Sequence, residues 1–218
     1  MSRPVILVVG AGPGVSGSVA RRFAHEGYDV ALLGTDEEQL ATLAGEVTAL
    51  GVAAGHAVAD VTDAEEATAA IRRFGDHAGR IDVVHFNPSA YREKDPLALT
   101  VPELLVDVTL GVGALLTAVQ AARPYLSAGA RVTATGSMAA DQPSKAAASL
   151  GVQKAGLRNL VHSLDATLEP DGIRAVSVTV RGMLSREGAF TPDRVADAIW
   201  DAAHQHEDDW HSEVAYAG

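Results

Sequence analysis

Residues 5–27 read VILVVGAGPGVSGSVARRFAHEG, and this stretch decides the fold class. Five consecutive apolar residues at 5–9 predict a strand that is buried on both faces. The apolar residues at 15, 19, 20 and 23 then recur at helical spacing directly after a run of glycines. A strand that enters a helix through glycines forms an anion site, because free N–H groups and the positive end of the helix dipole face the ligand. The stretch therefore predicts a pyrophosphate site at residues 10–17.

The glycine fingerprint of this site is incomplete. In the pattern G-x-x-x-G-x-G, Ser16 stands where the last glycine belongs, and Gly17 follows one residue late. A serine hydroxyl can still donate a hydrogen bond to a phosphate. A plain tight turn is the other interpretation of this stretch taken alone. The predicted phosphate-binding residues are Gly10, Gly12, Gly14, Val15 and Ser16.

The composition limits the class of protein. The chain has 218 residues, of which 47% are hydrophobic, and we expect one domain that covers residues 1–218. Its formal charge of −11 opposes binding to nucleic acid or to an anionic membrane surface. There is no cysteine, so disulfide and thiolate chemistry are excluded. We expect no apolar run that approaches the roughly 20 residues needed to cross a bilayer, and we expect a cytoplasmic protein.

Strand patterns and helix patterns alternate along the chain. Strands are predicted at 5–9, 28–33, 52–59, 81–87, 130–137 and 173–180, with a short last run at 213–216. Helices are predicted from residue 15 and at 36–50, 63–75, 101–123, 145–169 and 192–206. Such alternation favours parallel strands joined by right-handed helical crossovers. The predicted fold class is α/β, a doubly wound parallel sheet of the Rossmann type with about seven strands and helices on both faces, which binds ligands at the carboxyl ends of its strands.

The loop after the second strand normally selects the dinucleotide. An acid there accepts the ribose 2′-hydroxyl of NAD, and a cation there accepts the 2′-phosphate of NADP. Here the loop is Gly34-Thr35-Asp36. Gly34 stands where the acid is expected, Thr35 suits either group, and Asp36 suits the N-cap of the next helix. The choice between NAD and NADP therefore stays open.

The chain resembles the short-chain dehydrogenase/reductase family over nearly its full length. Asp60-Val61 looks like the adenine-contacting segment of that family, and Asn87 is what remains of its N-N-A-G motif after the fourth strand. Ser137 matches the catalytic serine at the end of the fifth strand, and Lys154 matches the lysine of the Y-x-x-x-K helix. The resemblance implies NAD or NADP as the cofactor. It also implies contacts to this cofactor from Asp60, Val61, Asn87 and Lys154.

The sequence departs from the family at the proton donor. The residue four positions before Lys154 is Leu150, where the resembling enzymes carry a tyrosine. That tyrosine exchanges a proton with the substrate oxygen, and the lysine lowers its pKa. The family's helical asparagine is also missing, with Thr109 as the nearest polar candidate, and Arg181-Gly182 replaces a Pro-Gly. The resemblance thus implies a cofactor site whose proton relay is broken.

Tyr91 is the first candidate for a replacement phenol. It follows Asn87 in the loop 88–99, which borders the substrate pocket in the resembling fold, but it also suits an ordinary loop position. We take Ser137, Lys154 and Tyr91 as the candidate catalytic residues, and we interpret His85 as a packed core histidine. A solvated helix end explains the histidines at 204, 206 and 211 better than a metal site does, since their spacing matches no ligand motif.

Two functions from different classes remain. One is a divergent oxidoreductase that acts on a carbonyl or alcohol of a small molecule with NAD(P)(H). The other is a dinucleotide-binding protein with little redox activity, serving as a partner subunit or a metabolite sensor. Many small residues lie on the helices at 101–123 and 145–169, which form the subunit interface in the resembling family. We therefore expect a homodimer or a homotetramer.

Overall fold

The computed structural model describes residues 3–218, which form a seven-stranded sheet. The strands are β1 (Val5–Val9), β2 (Asp29–Gly34), β3 (Ala54–Val58), β4 (Val83–Phe86), β5 (Arg131–Ser137), β6 (Arg174–Val180) and β7 (Glu213–Tyr216). Their order is β3-β2-β1-β4-β5-β6-β7, and neighbouring strands are parallel. The predicted doubly wound parallel sheet is confirmed, with residues 213–216 as an edge strand.

Helices cover both faces of this sheet. They are α1 (Val15–His25), α2 (Glu37–Thr48), α3 (Ala64–Ala78), α4 (Val101–Val108), α5 (Ala114–Ala122), α6 (Ala148–Leu168) and α7 (Pro192–Ala203). One core cluster joins the sheet to α1, α2 and α7, and another joins it to α3, α5 and α6. The strand order reverses direction between β1 and β4, which opens a crevice at their carboxyl ends.

The helix starts differ in how their free N–H groups are satisfied. The side chains of Asp36, Asp63, Thr100 and Thr191 accept hydrogen bonds from the first turns of α2, α3, α4 and α7. The predicted capping role of Asp36 is thereby confirmed. By contrast, α1 begins after Gly14 with no side-chain cap and no acidic residue in its first turn. Its N–H groups are free to bind an anion.

The long helix predicted at 101–123 contains a π-helical turn. Between α4 and α5 the backbone forms a π-helical turn, Thr109–Gly113. A Cβ at Gly111 would lie 2.5 Å from Oε1 of Gln153 on α6, so glycine is what admits this side chain. Glycine also lowers the preference for a regular helix. The helix predicted at 101–123 is therefore confirmed as one helical run, and the π-helical turn inside it is what the structure adds.

The helical run Val101–Tyr125 also corrects an expectation about membranes. Its 25 residues, with a mean hydropathy of 1.8 over an 18-residue window, are long and apolar enough to cross a bilayer by length and composition. The prediction that no apolar run approaches this length is thus wrong. The run is apolar because its second half packs against the sheet, where Leu115, Ala118 and Ala122 are buried in the core.

Candidate functional site

A cleft of about 360 Å³ opens at the carboxyl ends of the central strands. It brings together five residues that the sequence predicted as site residues: Gly14, Val15, Asn87, Ser137 and Lys154. Its other lining residues are Ser89, Thr135, Gly136, Leu150, Val180, Gly182 and Leu184. These come from segments far apart in the chain, which the parallel topology carries to one edge of the sheet. The cleft is therefore the candidate active site.

The glycine turn presents the uncapped N-terminus of α1 to this cleft. The backbone N–H groups of Gly10 and Ala11 donate to the carbonyl of Leu33, 2.9 and 2.8 Å away, which ties the turn to β2. Gly14 and Val15 then line the cleft at the start of the helix. An uncapped helix start beside glycines fits the pyrophosphate of a dinucleotide, because no side chain of the described residues 3–218 caps these donors.

The hydroxyl of Ser16 forms its hydrogen bond within the glycine turn. The side chain is buried, and its Oγ donates to the carbonyl of Gly12 at 3.4 Å. The close approach that the missing glycine would allow occurs at Gly17, where a Cβ would lie 2.6 Å from that same carbonyl. In this structure the Ser16 hydroxyl thus bonds within the glycine turn, and a phosphate contact from Ser16 stays a prediction.

Lys154 is buried beside the cleft without a counter-ion. It lies on α6 with 6% of its surface exposed, and its Nζ donates to the carbonyl of Thr135 at 2.8 Å. Within the described residues 3–218, no carboxylate lies within ion-pair distance of it. Burial lowers the pKa of Lys154 to about 8, because desolvation disfavours the charged form. The cleft thus holds an ammonium group that titrates near neutral pH.

His85 lies beneath this lysine in a buried polar network. Its Nδ1 is 2.9 Å from Oγ1 of Thr133, its partner across the β4–β5 pair, and its Nε2 is 3.5 Å from Oγ1 of Thr135. Burial, and then the positive charge of Lys154, lower the pKa of His85 to about 3. The imidazole is therefore neutral at physiological pH. The interpretation of His85 as a packed core histidine is confirmed.

Ser137 and Leu150 face the same cleft from β5 and α6. The Oγ of Ser137 accepts a hydrogen bond from the backbone N–H of Ala139 at 3.2 Å, which leaves its own proton to donate into the cleft. Leu150 lies one helical turn before Lys154 and closes the apolar side of the cleft. It brings no proton donor to the position from which the resembling enzymes use a phenol.

Thr135 is a cleft residue that the sequence analysis missed. Lys154 binds its carbonyl, the imidazole of His85 lies near its hydroxyl, and the residue lines the cleft. The signal was present in the sequence, because side chains two positions apart on a strand share a face and Thr135 stands two residues before Ser137. Inspection of the residues that share a strand face with Ser137 would have identified Thr135.

Two predicted polar candidates lie away from the cleft. Tyr91 has 70% of its surface exposed, and Thr109 is exposed with its Oγ1 donating to the carbonyl of Leu105 at 2.8 Å. Neither side chain lines the cleft. The structure therefore does not support Thr109 as the replacement for the family's asparagine. It does not support Tyr91 as the replacement phenol either, and that role stays a prediction.

The residues predicted for the adenosine end follow the neighbouring strands. Thr35 comes directly after β2 and is exposed, and Asp60 and Val61 come shortly after β3. The Oδ1 of Asp60 accepts hydrogen bonds from the backbone N–H and the hydroxyl of Thr62, 2.8 and 2.7 Å away, and these bonds lower the pKa of Asp60. The segment thus presents a pre-shaped turn with a charged carboxylate.

A side chain at Gly34 has no room. A Cβ there would lie 2.7 Å from the carbonyl oxygen of Ala11 in the glycine turn. An acid that selects NAD cannot stand at this position without moving the phosphate-binding turn. Any selection of the dinucleotide must therefore come from Thr35 and the residues that follow it.

The segment after β6 is short and fixed in place. Gly182 lies under the ring of Phe190, and the hydroxyl of Tyr216 donates to the carbonyl of Ala189 at 2.5 Å. The side chain of Arg181 donates to Asp141 at 3.3 Å.

Within residues 3–218 the structure shows no cluster of three potential metal ligands, and this includes the histidines at 204, 206 and 211.

A parallel doubly wound sheet with an uncapped helix at its crevice is typical of dinucleotide-binding oxidoreductases. The profile of the family described as short chain dehydrogenase matches residues 4–188. The chain therefore belongs to the short-chain dehydrogenase family, and this membership supports dinucleotide binding.

Individual relatives are distant. An uncharacterized oxidoreductase of Staphylococcus epidermidis is 24% identical over 177 residues, covering 80% of this chain and 76% of the relative. Sulfoacetaldehyde reductase 2 of Chromohalobacter salexigens is 26% identical over 178 residues, covering 80% and 70%. A solved short-chain dehydrogenase from Burkholderia cenocepacia in complex with NADP superposes with a TM-score of 0.88 at 24% identity, covering 98% of this chain and 95% of that chain. That likeness shows the fold.

Proposed function

We propose that the protein is a divergent NAD(P)(H)-dependent oxidoreductase that interconverts a carbonyl and an alcohol on a small molecule. One observation carries the proposal: Ser137, Lys154 and the uncapped N-terminus of α1 line the same cleft. A bound nicotinamide dinucleotide would supply the hydride chemistry. The residues at 10–17 would hold its pyrophosphate, and Lys154 with Asn87 would hold its nicotinamide ribose.

The walls of the cleft favour an apolar substrate. Its apolar lining side chains, apart from the glycines, are those of Val15, Leu150, Val180 and Leu184. Ser137 would donate a hydrogen bond to the substrate oxygen and so hold the carbonyl toward the cofactor. We therefore expect an apolar ketone, aldehyde or secondary alcohol to be the substrate.

Leu150 supports a second candidate function. A leucine at the position of the phenol leaves the substrate oxygen without its usual proton donor. The alternative is a dinucleotide-binding protein with little or no redox activity, a partner subunit or a metabolite sensor. Both candidates require the dinucleotide, and they differ in turnover.

The surroundings of Thr35 support NAD(H) over NADP(H). Three acids follow it, Asp36 and the first-turn residues Glu37 and Glu38 of α2. The nearby basic groups are already paired, since His56 lies 3.0 Å from Glu37 and Arg21 lies 2.9 Å from Glu46. A 2′-phosphate would meet like charges here, whereas ribose hydroxyls can donate to a carboxylate.

Calorimetric titration with NAD, NADH, NADP and NADPH tests dinucleotide binding. We expect binding of NAD(H) and weaker binding of NADP(H). Replacing Thr35 by arginine should then tighten NADP(H) by about 10–100-fold, because one charge-assisted hydrogen bond contributes about 1.5–3 kcal/mol. Thr35→Val is the matched control and should not tighten NADP(H). If none of the four dinucleotides binds at millimolar concentration, both candidate functions fail.

We also propose that the protein assembles into a homodimer or homotetramer through α4 and α6. Four of the small residues on the helix predicted at 101–123, Ala114, Ala118, Ala121 and Ala122, are buried against their own sheet. The exposed apolar residues of α4 and α6 support the interface. These are Val101, Leu105 and Val106 on α4 and Val152 on α6.

Light scattering at micromolar concentration tests the assembly. We expect a dimer or tetramer mass for the parent and a monomer mass for the double variant Leu105→Glu/Val106→Glu, because two charges would be buried in the interface. Leu50→Glu, at a partly exposed apolar residue just after α2, is the control and should keep the parent's mass. A monomeric parent would refute the interface.

A further inference from the structure

We propose that Lys154 itself is the general acid of this site and transfers its proton directly to the substrate oxygen. The inference rests on the proposed oxidoreductase function and assigns the step that the missing phenol would perform. Lys154 is the sole titratable side chain among the residues that line the cleft. Asparagine, serine and threonine supply its other polar side chains, and these do not ionise in the physiological pH range.

The surroundings of Lys154 suit this role. One N–H of the ammonium is held by the Thr135 carbonyl, and the structure assigns no acceptor within the described chain to its other hydrogens. No carboxylate of residues 3–218 forms an ion pair with the ammonium, so an oxyanion that develops in the cleft is its natural partner. Burial also brings the pKa of Lys154 to about 8, close to the value at which a general acid works best near neutral pH.

Neighbouring groups do not offer a second acid. The titratable side chain that faces Lys154 from the sheet is His85 on β4, and its pKa of about 3 keeps it neutral at physiological pH. From β5, Thr135 contributes a carbonyl and a hydroxyl, which carry no charge. His85 therefore helps to position Thr135, and Thr135 in turn positions the ammonium.

The proposed step balances as follows. A bound reduced nicotinamide dinucleotide would supply the hydride that the carbonyl carbon gains, and the C=O π electrons would move to oxygen. A new O–H bond forms as one N–H bond of the Lys154 ammonium breaks, which leaves an alcohol, a neutral amine and the oxidised dinucleotide. Water at the open mouth of the cleft then returns a proton to the amine.

The pH dependence of ketone reduction tests this assignment. Reduction requires the ammonium form, so kcat/KM should be level below pH 8 and fall about tenfold per pH unit above it. Lys154→Arg keeps a positive charge but cannot titrate in this range. It should bind the dinucleotide, lose the fall above pH 8 and lower kcat by about 10²–10⁴. Lys145→Arg, at an exposed lysine, should change neither the pH profile nor kcat.

Carbon-13 NMR of the lysine-labelled protein gives a readout that does not depend on activity. The chain has three lysines, Lys94, Lys145 and Lys154, and the signal absent from Lys154→Arg identifies the third. We expect this signal to titrate near pH 8, because burial lowers the pKa of Lys154.

Three results would overturn the inference: a Lys154 signal that titrates above pH 10, an unchanged pH profile in Lys154→Arg, or a parent that binds the dinucleotide but reduces no ketone. Failure of the parent to bind any dinucleotide is a different result, since it overturns the proposed function as well.

Discussion

Replacement of Leu150 by tyrosine is expected to raise the turnover of a generic ketone or quinone: by about 10²–10⁴-fold, the range of a positioned general acid, if no other group of the parent donates the proton, and by less if Lys154 already does. Leu150 lines the cleft one helical turn before Lys154 and thirteen residues after Ser137. A phenol at this position would face the same cleft as the serine hydroxyl, and the nearby ammonium would lower its pKa. Steady-state kcat and KM, measured with saturating dinucleotide, report the change.

The controls separate the hydroxyl from the ring. Leu150→Phe adds the ring alone and should give no gain, and Lys154→Ala in the tyrosine background should remove the gain. If the parent turns over substrate quickly and Tyr91→Phe abolishes that turnover, the proton relay lies in the loop 88–99 instead. If neither the parent nor Leu150→Tyr reacts while the dinucleotide still binds, the binding-protein alternative becomes the better one.

Replacement of Arg174 by methionine is expected to lower the free energy of unfolding by about 3–5 kcal/mol. Arg174 donates from Nε and Nη2 to the two carboxylate oxygens of Asp165, at 3.0 and 2.7 Å, and both side chains are buried. Its guanidinium also lies 4.9 Å from the ring centre of Trp210. Methionine retains much of the side-chain volume but leaves the Asp165 carboxylate without its cation in a poorly solvated place. Urea unfolding followed by circular dichroism measures the loss.

Arg123→Met is the matched control for this experiment. Arg123 pairs with Asp171, but both side chains of that pair are largely exposed, so we expect a loss of no more than about 1 kcal/mol. A loss at Arg174 no greater than the loss at Arg123 would show that solvent screens the Asp165 pair despite its burial.

The positions of the site residues in the fold could be predicted from the sequence, because strands and helices alternate regularly in a parallel α/β fold. Asn87 directly follows β4, Ser137 ends β5, and Lys154 lies on α6, the helix after β5. The alternation of strands and helices alone therefore brings all three to one edge of the sheet. The departure at Leu150 was equally visible, since it depends on a four-residue spacing along one helix. Local spacing and element order therefore determined the fold, the cleft and the missing phenol.

Only the tertiary structure decided the chemical state of these groups. Lys154 is an ammonium without a counter-ion, His85 is neutral, Ser16 turns inward and Gly34 has no room for an acid, because segments distant in sequence pack against each of them. A side chain's desolvation and the space beside a glycine depend on what the rest of the chain places there. Sequence periodicity assigns a residue to a face of the sheet or helix, whereas its pKa and its free hydrogen-bond donors are set by the contacts it meets on that face.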